Sequence, residues 1–168
     1  MPIAFKVYNS LEMGTPQAKL PVLPPVEQLG FVVSDMKTAV EHFRSILGCG
    51  PFTVYEHELK GVLFKGEPSD CRLRMATAYS GDIEIELIEV LEGETPHTEF
   101  LRENGEGLQH VRFRVGNLEE MLGRFADAGI VPVWQHNFPE YGVSFAYLNT
   151  DSVGGVMFEL IEIKGGSQ

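Results

Sequence analysis

The chain alternates between two hydrophobic rhythms and runs through the same succession of them twice. From Val26 onward, Leu29, Phe31 and Val33 alternate with Gln28, Gly30 and Val32, the period of two expected of a strand with one apolar face. Ser34 stands as the N-cap of a helix that carries Met36, Ala39, Val40, Phe43, Ile46 and Leu47 at helical spacing. Gly48 and Gly50 close it. Strands are predicted over 52–58, 71–79 and 83–90, parted by turns that contain Gly and Pro. A short helix is predicted across 94–105, opened by Thr95-Pro96, and then the pattern restarts. Val111, Phe113 and Val115 form the apolar face of a new strand, with His110, Arg112 and Arg114 opposite. Asn117 and Glu120 read as a capping box for a helix bearing Leu118, Met121, Leu122 and Phe125, ended by Gly129. Three more strands are predicted over 131–137, 143–149 and 155–163.

The restart is an internal repeat. One constant offset sets Gln28 on His110, Phe31 on Phe113, Val33 on Val115, Val40 on Leu122 and Phe43 on Phe125. A shorter offset sets Glu86 on Glu159, inside the Glu-Leu-Ile-Glu shared by Ile85–Val90 and Phe158–Ile163. Hairpin loops absorb the difference, since length changes are tolerated there. The prediction is an α+β fold of paired βαβββ modules. The first module takes residues 26–93, a connecting helix 94–106 and the second module 107–168, within one structural domain. Residues 1–25, with Pro2, Pro16, Pro21, Pro24 and Pro25 and no sustained period, read as an N-terminal arm. Its Phe5, Val7, Tyr8, Leu11 and Met13 are suited to packing over a groove or a neighbouring subunit.

Composition narrows the partners. A net charge of −11 argues against nucleic acid or an anionic membrane. No apolar run is long enough to span a bilayer, and the N-terminus lacks the charged and hydrophobic segments of a secretory signal. Two cysteines, Cys49 and Cys71, make no disulfide framework. A cytoplasmic protein acting on a small molecule is the expectation.

The repeat also pairs four polar residues. Alternation puts Glu159 on one face with Met157, Ile161 and Ile163, while Val156, Phe158 and Leu160 take the other. Glu86 shares its face with Ile88 and Val90, and with Glu84. A carboxylate on an apolar face is costly unless it is paired or binds a metal. Gln28 and His110 project opposite their strands' apolar stripes, toward the concave side of a curved sheet. A lone histidine or glutamine on a strand is more often structural, and a single such Glu more often lies in water at a sheet edge. Four of them at repeat-equivalent positions point to nitrogen and oxygen ligands for a divalent cation of the Zn, Ni, Co, Mn or Mg type.

Val26 to Ile163 resembles the vicinal oxygen chelate superfamily, which includes glyoxalases, epimerases, extradiol dioxygenases and bleomycin-resistance proteins. The resemblance implies a curved, cup-shaped mixed sheet with helices outside and metal ligands Gln28, Glu86, His110 and Glu159. The runs Pro96–Leu101, Gly107–Val111 and Gly155–Leu160 are most similar to methylmalonyl-CoA epimerases, whereas the ligand set is also that of animal-type glyoxalase I. Val32 and Val90 stand where glyoxalases carry glutathione-binding Arg and Asn. The epimerases' second acid aligns near Arg74 or Met75. The implied activity is a metal-dependent isomerase or epimerase moving a proton alpha to the carbonyl of a small carbonyl or acyl-thioester substrate. Glu159 is the expected base and Glu86 the alternative, with Arg112, Arg114, Trp134 and Tyr147 binding substrate. Tyr79, Phe138, Tyr141 and Phe145 extend an aromatic lining. Other implied readings are a glyoxalase-type lyase, a non-catalytic binding cup and, last, a dioxygenase. A homodimer is expected by analogy.

Overall fold

The computed structural model describes residues 20–152 and 154–165. Eight strands and three helices follow in the order β1 (Val26–Val32), α1 (Met36–Ser45), β2 (Thr53–Phe64), β3 (Glu67–Ser80), β4 (Ile83–Glu92), α2 (Pro96–Asn104), β5 (Gly107–Arg114), α3 (Leu118–Ala126), β6 (Pro132–Phe138), β7 (Val143–Leu148) and β8 (Met157–Ile163). They form one mixed sheet closed round an axis in the order β1-β4-β3-β2-β6-β7-β8-β5. β1 pairs with β4, and β5 with β8, in parallel, as a strand-helix-strand crossover requires. β1 and β5 join antiparallel along most of their length. The second seam, between β2 and β6, is short: its register pairs are Leu63–Gln135 and Phe64–Trp134, followed by Lys65 N–H donating to Val133 O at 2.7 Å. The cup is therefore tight at one seam and open at the other.

This topology disposes of the edge reading for the two glutamates. β4 lies between β1 and β3, and β8 between β5 and β7, so neither strand is an edge. Glu86 and Glu159 are 4% and 6% exposed. The two faces sort as alternation predicts. Leu29, Phe31 and Leu87 pack outward under α1, with Phe31 edge-on to Phe43 at 5.2 Å. Phe113, Phe158 and Leu160 pack outward under α3 around Phe125. The inner face carries a separate cluster of Leu59, Leu73, Ile88, Trp134, Phe145, Tyr147 and Ile161. Burying each such side chain stabilises the fold by about 1.5–3 kcal/mol, which is what offsets the polar groups set among them.

Local details depart from the expectations in two places. The N-cap of α1 is Asp35 and not Ser34; Asp35 accepts from Thr38 N at 2.7 Å, and the Thr38 side chain together with this backbone bond holds its carboxyl below the usual range. Ser34 instead donates its backbone N–H to Glu106 at 2.6 Å, tying β1 to the loop before β5. β2 and β3 run past the predicted ends to a two-residue turn, because Val62, Leu63 and Phe64 resume the alternation after Gly61. Gly61 sits at φ +62° in the register break between Leu59 and Val62, a bulge that bends the hairpin round the cup. Asn117 caps α3 by accepting from Glu120 N at 3.0 Å, as predicted. The arm is described only from Leu20; its Phe5, Val7, Tyr8, Leu11 and Met13 lie outside the described residues. Leu23 packs against the α3-side cluster.

Candidate functional site

At the floor of the cup, inward-facing side chains from β1, β4, β5 and β8 converge on one nitrogen. His110 Nε2 lies 3.2 Å from Gln28 Oε1, 3.5 Å from Glu86 Oε2 and 3.4 Å from Glu159 Oε2. Gln28 and His110 are fully buried. The four residues that the repeat pairs are thus brought together by the two parallel crossovers.

The surrounding hydrogen bonds fix which atoms face inward. Gln28 Nε2 donates to Glu84 Oε1 at 2.5 Å, which leaves its amide oxygen pointing at His110. Gln109 Oε1 lies 2.9 Å from His110 Nδ1, and in the tautomer whose Nδ1–H donates to it, Nε2 turns its lone pair to the floor. Four electron-pair donors then face one another: an amide oxygen, an imidazole nitrogen and two carboxylate oxygens. Such a set repels itself unless a cation lies between its members. Tyr147 Oη, 3.4 Å from Nε2, is the hydroxyl at hand.

The donor set also fits a metal in size. Ligands held at ~2.1 Å from one ion stand about 3.0 Å apart in an octahedral cis pair and about 3.4 Å apart in a tetrahedral one. The separations from His110 Nε2 span 3.2–3.5 Å. Among the described residues, no group of three or more His, Cys, Asp and Glu, Glu86, His110 and Glu159 included, is placed to hold a metal ion as it stands. Gln28 adds an amide oxygen to these three, and Glu159 Oε2 is buried without a hydrogen-bond partner among the described residues. Glu84 orients Gln28, and Gln109 orients His110.

Burial pushes the Glu159 carboxyl up to about 7, against partial relief from His110, when its ring is protonated, and from Arg112. The same burial, reinforced by Glu159 and Glu86, raises the Tyr147 phenol far enough to keep it protonated. The shift on Glu159 carries a stability consequence for metal-stripped protein. Between about pH 4.5 and 7 the folded state holds a proton on Glu159 that the unfolded chain has released. Stability therefore falls as pH rises through that window, and the loss is complete above it. Urea unfolding of stripped protein should show this decline, and Glu159→Gln should remove that component; an unchanged slope in the variant would contradict it.

Above the floor opens a cavity of about 550 Å³, lined at depth by Trp134, Phe145, Tyr147 and Arg112 and higher up by Tyr55, Leu73, Met75 and Phe138. Trp134, Tyr147, Phe138, Tyr141 and Phe145 all take the place expected of them. Tyr79 does not: it is 65% exposed and stands outside the lining. Arg112 reaches the cavity, but Glu27 and Glu84 already accept from it at 3.0 and 3.2 Å. Arg114, expected beside Arg112 as a substrate residue, is half exposed and bound to Glu27 at 2.9 Å, outside the lining. The strand end carries its side chain past the rim. Where a second acid was sought, Met75 lines the cavity and Arg74 faces out to Glu56 and Glu89. Thr77 is the register partner of Glu86.

Sequence reasoning missed His97. It is fully buried at the start of α2, edge-on to Trp134 at 5.1 Å, to Tyr147 at 5.5 Å and to His110 at 6.1 Å. Burial holds it neutral, and neither ring nitrogen has a partner among the described residues. Only its place in the Pro96–Leu101 run marked it in the sequence; helical spacing gave no sign that α2 plugs the cup floor.

A family model for the glyoxalase/bleomycin resistance protein/dioxygenase superfamily matches residues 27–147. The chain belongs to this superfamily. A relative in Bacillus subtilis (strain 168), the uncharacterized protein YqjC, is 26% identical over 143 residues, covering 83% of this chain and 93% of that protein. Methylmalonyl-CoA epimerase from Mycobacterium tuberculosis superposes with a TM-score of 0.60 at 21% identity, over 90% of this chain and 93% of that one. A Streptomyces coelicolor methylmalonyl-CoA epimerase in complex with 2-nitronate-propionyl-CoA gives 0.60 at 20% identity, over 88% and 99%. At these identities the structural likeness establishes the fold. Within the superfamily fold, the convergent floor is formed by β1, β4, β5 and β8, and no helix among the described residues is long and apolar enough to cross a membrane.

Proposed function

We propose that this protein is a metal-dependent isomerase or epimerase that moves a proton on the carbon next to the carbonyl of a small carbonyl compound or acyl thioester. One observation carries the reading: three oxygen donors, from Gln28, Glu86 and Glu159, lie within 3.5 Å of the buried His110 Nε2. Gln28, Glu86, His110 and Glu159 are the residues that would hold a divalent cation. When bound, such an ion supplies Lewis-acid polarisation of a carbonyl, which acidifies the neighbouring C–H.

The chain's own groups account for the rest. Glu159, desolvated and with Oε2 unpartnered among the described residues, is the group suited to take the α-proton, because desolvation raises its basicity toward the working pH. Glu86 is the second carboxylate able to take or return it. The phenol of Tyr147, kept protonated, holds its hydroxyl 3.4 Å from His110 Nε2. Arg112, oriented by Glu27 and Glu84, sets a fixed positive charge beside the floor, which favours the negative charge developing on a substrate oxygen. Similarity in fold to methylmalonyl-CoA epimerases supports the same reaction class.

The aromatic lining favours a second reading, a cup that binds a small molecule without chemistry. Exchange of the α-hydrogen in deuterium oxide separates the two. Hydroxyketones, 2-oxo acids and acyl thioesters should be tested by NMR with stripped and zinc-reconstituted protein. Exchange that depends on metal is expected for at least one class. Saturable binding without exchange, with and without metal, would instead make this a binding cup.

A further inference from the structure

The charge around the cavity separates this cup from one built for a large anionic substrate. The exposed residues of the lining, which form its mouth, are His57, Glu58, Glu140 and Tyr141. They stand on β2 and on the β6–β7 turn, flanking the seam that Leu63–Gln135 and Phe64–Trp134 leave open. None of these four is a lysine or arginine. Among the described residues, Arg112 is the one guanidinium in the lining, and it sits at the floor with two carboxylates already on it. Neighbouring cations on β2 and β3 are engaged in the same way. Lys60 lies 2.6 Å from Glu58 and 3.5 Å from Asp70, Arg72 holds Glu56 and Glu92, and Arg74 holds Glu56 and Glu89.

Between mouth and floor the wall is aromatic and aliphatic. Trp134, Phe138, Phe145 and Tyr147 stack in one continuous group, with centroids 4.9–6.2 Å apart. Tyr55, Leu59, Leu73 and Met75 face them. A cavity of about 550 Å³ with these walls suits a flat ring. A coenzyme A thioester would have to thread its phosphates past Glu140, which has no ion-pair partner among the described residues, and past the mutually neutralised Glu58–Lys60 pair, in a field that the net charge of −11 makes acidic.

We propose that the cup takes a compact, ring-bearing carbonyl compound with no negative charge at its outer end, and that acyl-coenzyme A thioesters are excluded. The proposal rests on the reading above in that the carbonyl end is taken to lie at the four-donor floor. The ring then lies along Trp134, Phe145 and Tyr147, and any substituent opposite the carbonyl meets Glu140.

The chain has a single tryptophan, Trp134, and its indole N–H gives one resonance that reports directly on the wall. Zinc-loaded full-length protein should be titrated with 2-hydroxyacetophenone, its para-trimethylammonio and para-sulfo derivatives, and propionyl-CoA. The neutral and cationic probes should shift the indole resonance saturably, and the sulfonate should bind about tenfold more weakly at low salt. Propionyl-CoA should neither shift it nor displace the neutral probe. Glu140→Lys should bring the sulfonate to within about threefold of the neutral probe, an effect that a merely structural role of Glu140 would not give. Equal binding of the sulfonate, displacement by propionyl-CoA, or no saturable shift with any ring probe would overturn the proposal. Deuterium exchange at the α-carbon, followed in the same samples, keeps the two readings apart. A bound neutral probe that does not exchange supports the substrate class and counts against proton transfer. An exchanging propionyl-CoA does the reverse.

Discussion

Glu159→Gln should lower turnover by about 10²–10⁴-fold, the range a positioned general base contributes, while leaving the protein folded. The substitution keeps the shape of the side chain and one oxygen donor, yet removes the group able to hold a proton. Because burial disfavours the charged carboxylate at this position, the neutral amide should leave metal-free stability at pH 8 equal to or above that of wild type. Three readouts therefore move apart: activity falls, stability does not, and retention of metal through Gln28, Glu86 and His110 distinguishes loss of the base from loss of the site. Retained turnover would remove Glu159 from the role of base and pass it to Glu86.

Gly30→Ala should have the next largest effect, although glycine contributes no donor. A Cβ at Gly30 would lie 1.8 Å from His110 Cε1 and 2.2 Å from Nε2. No imidazole tolerates that approach, and this one has nowhere to go: it is fully buried, bound to Gln109 at 2.9 Å and packed on Tyr147 with centroids 4.9 Å apart. The methyl group must displace the ring, which should cost about 1–3 kcal/mol and roughly 2–12 °C of Tm. It should also abolish metal binding. Gly123→Ala is the control. It lies inside α3, and a methyl group there would meet nothing within 4 Å, so it should stabilise slightly and leave metal content unchanged. Normal metal content in Gly30→Ala would show that His110 is not anchored where its ring now sits.

Much of the floor is legible in the sequence, because period and repeat are local signals. The duplicated Glu-Leu-Ile-Glu marks the faces of β4 and β8, and alternation sets Gln28 and His110 opposite the helix-packed stripes. What alternation cannot reveal is set by distant partners. Arg112 and Arg114 share a face in sequence, yet Glu27 and Glu84 fix one at the cavity floor, and Glu27 holds the other outside it. The residue type of Tyr79 suits an aromatic cup lining, whereas its position near the β3–β4 turn leaves it in solvent. His97 sits on a helix whose periodicity says nothing about the direction in which α2 meets the sheet. Ser34 and Asp35 are both good caps, and Glu106, from the start of the second half, decides between them by engaging Ser34. The acidic mouth emerges only once β2 and the β6–β7 turn are brought face to face.

The central claim, that four donors at the floor hold a divalent cation, is tested most directly by elemental analysis of protein purified without added metal or an affinity tag. Wild type and His110→Ala should be measured side by side, each before and after reconstitution and with circular dichroism to verify folding. The expected result is close to one equivalent of divalent metal in the wild type and none in a folded variant. No metal in the wild type after reconstitution, or equal amounts in both proteins, would contradict it.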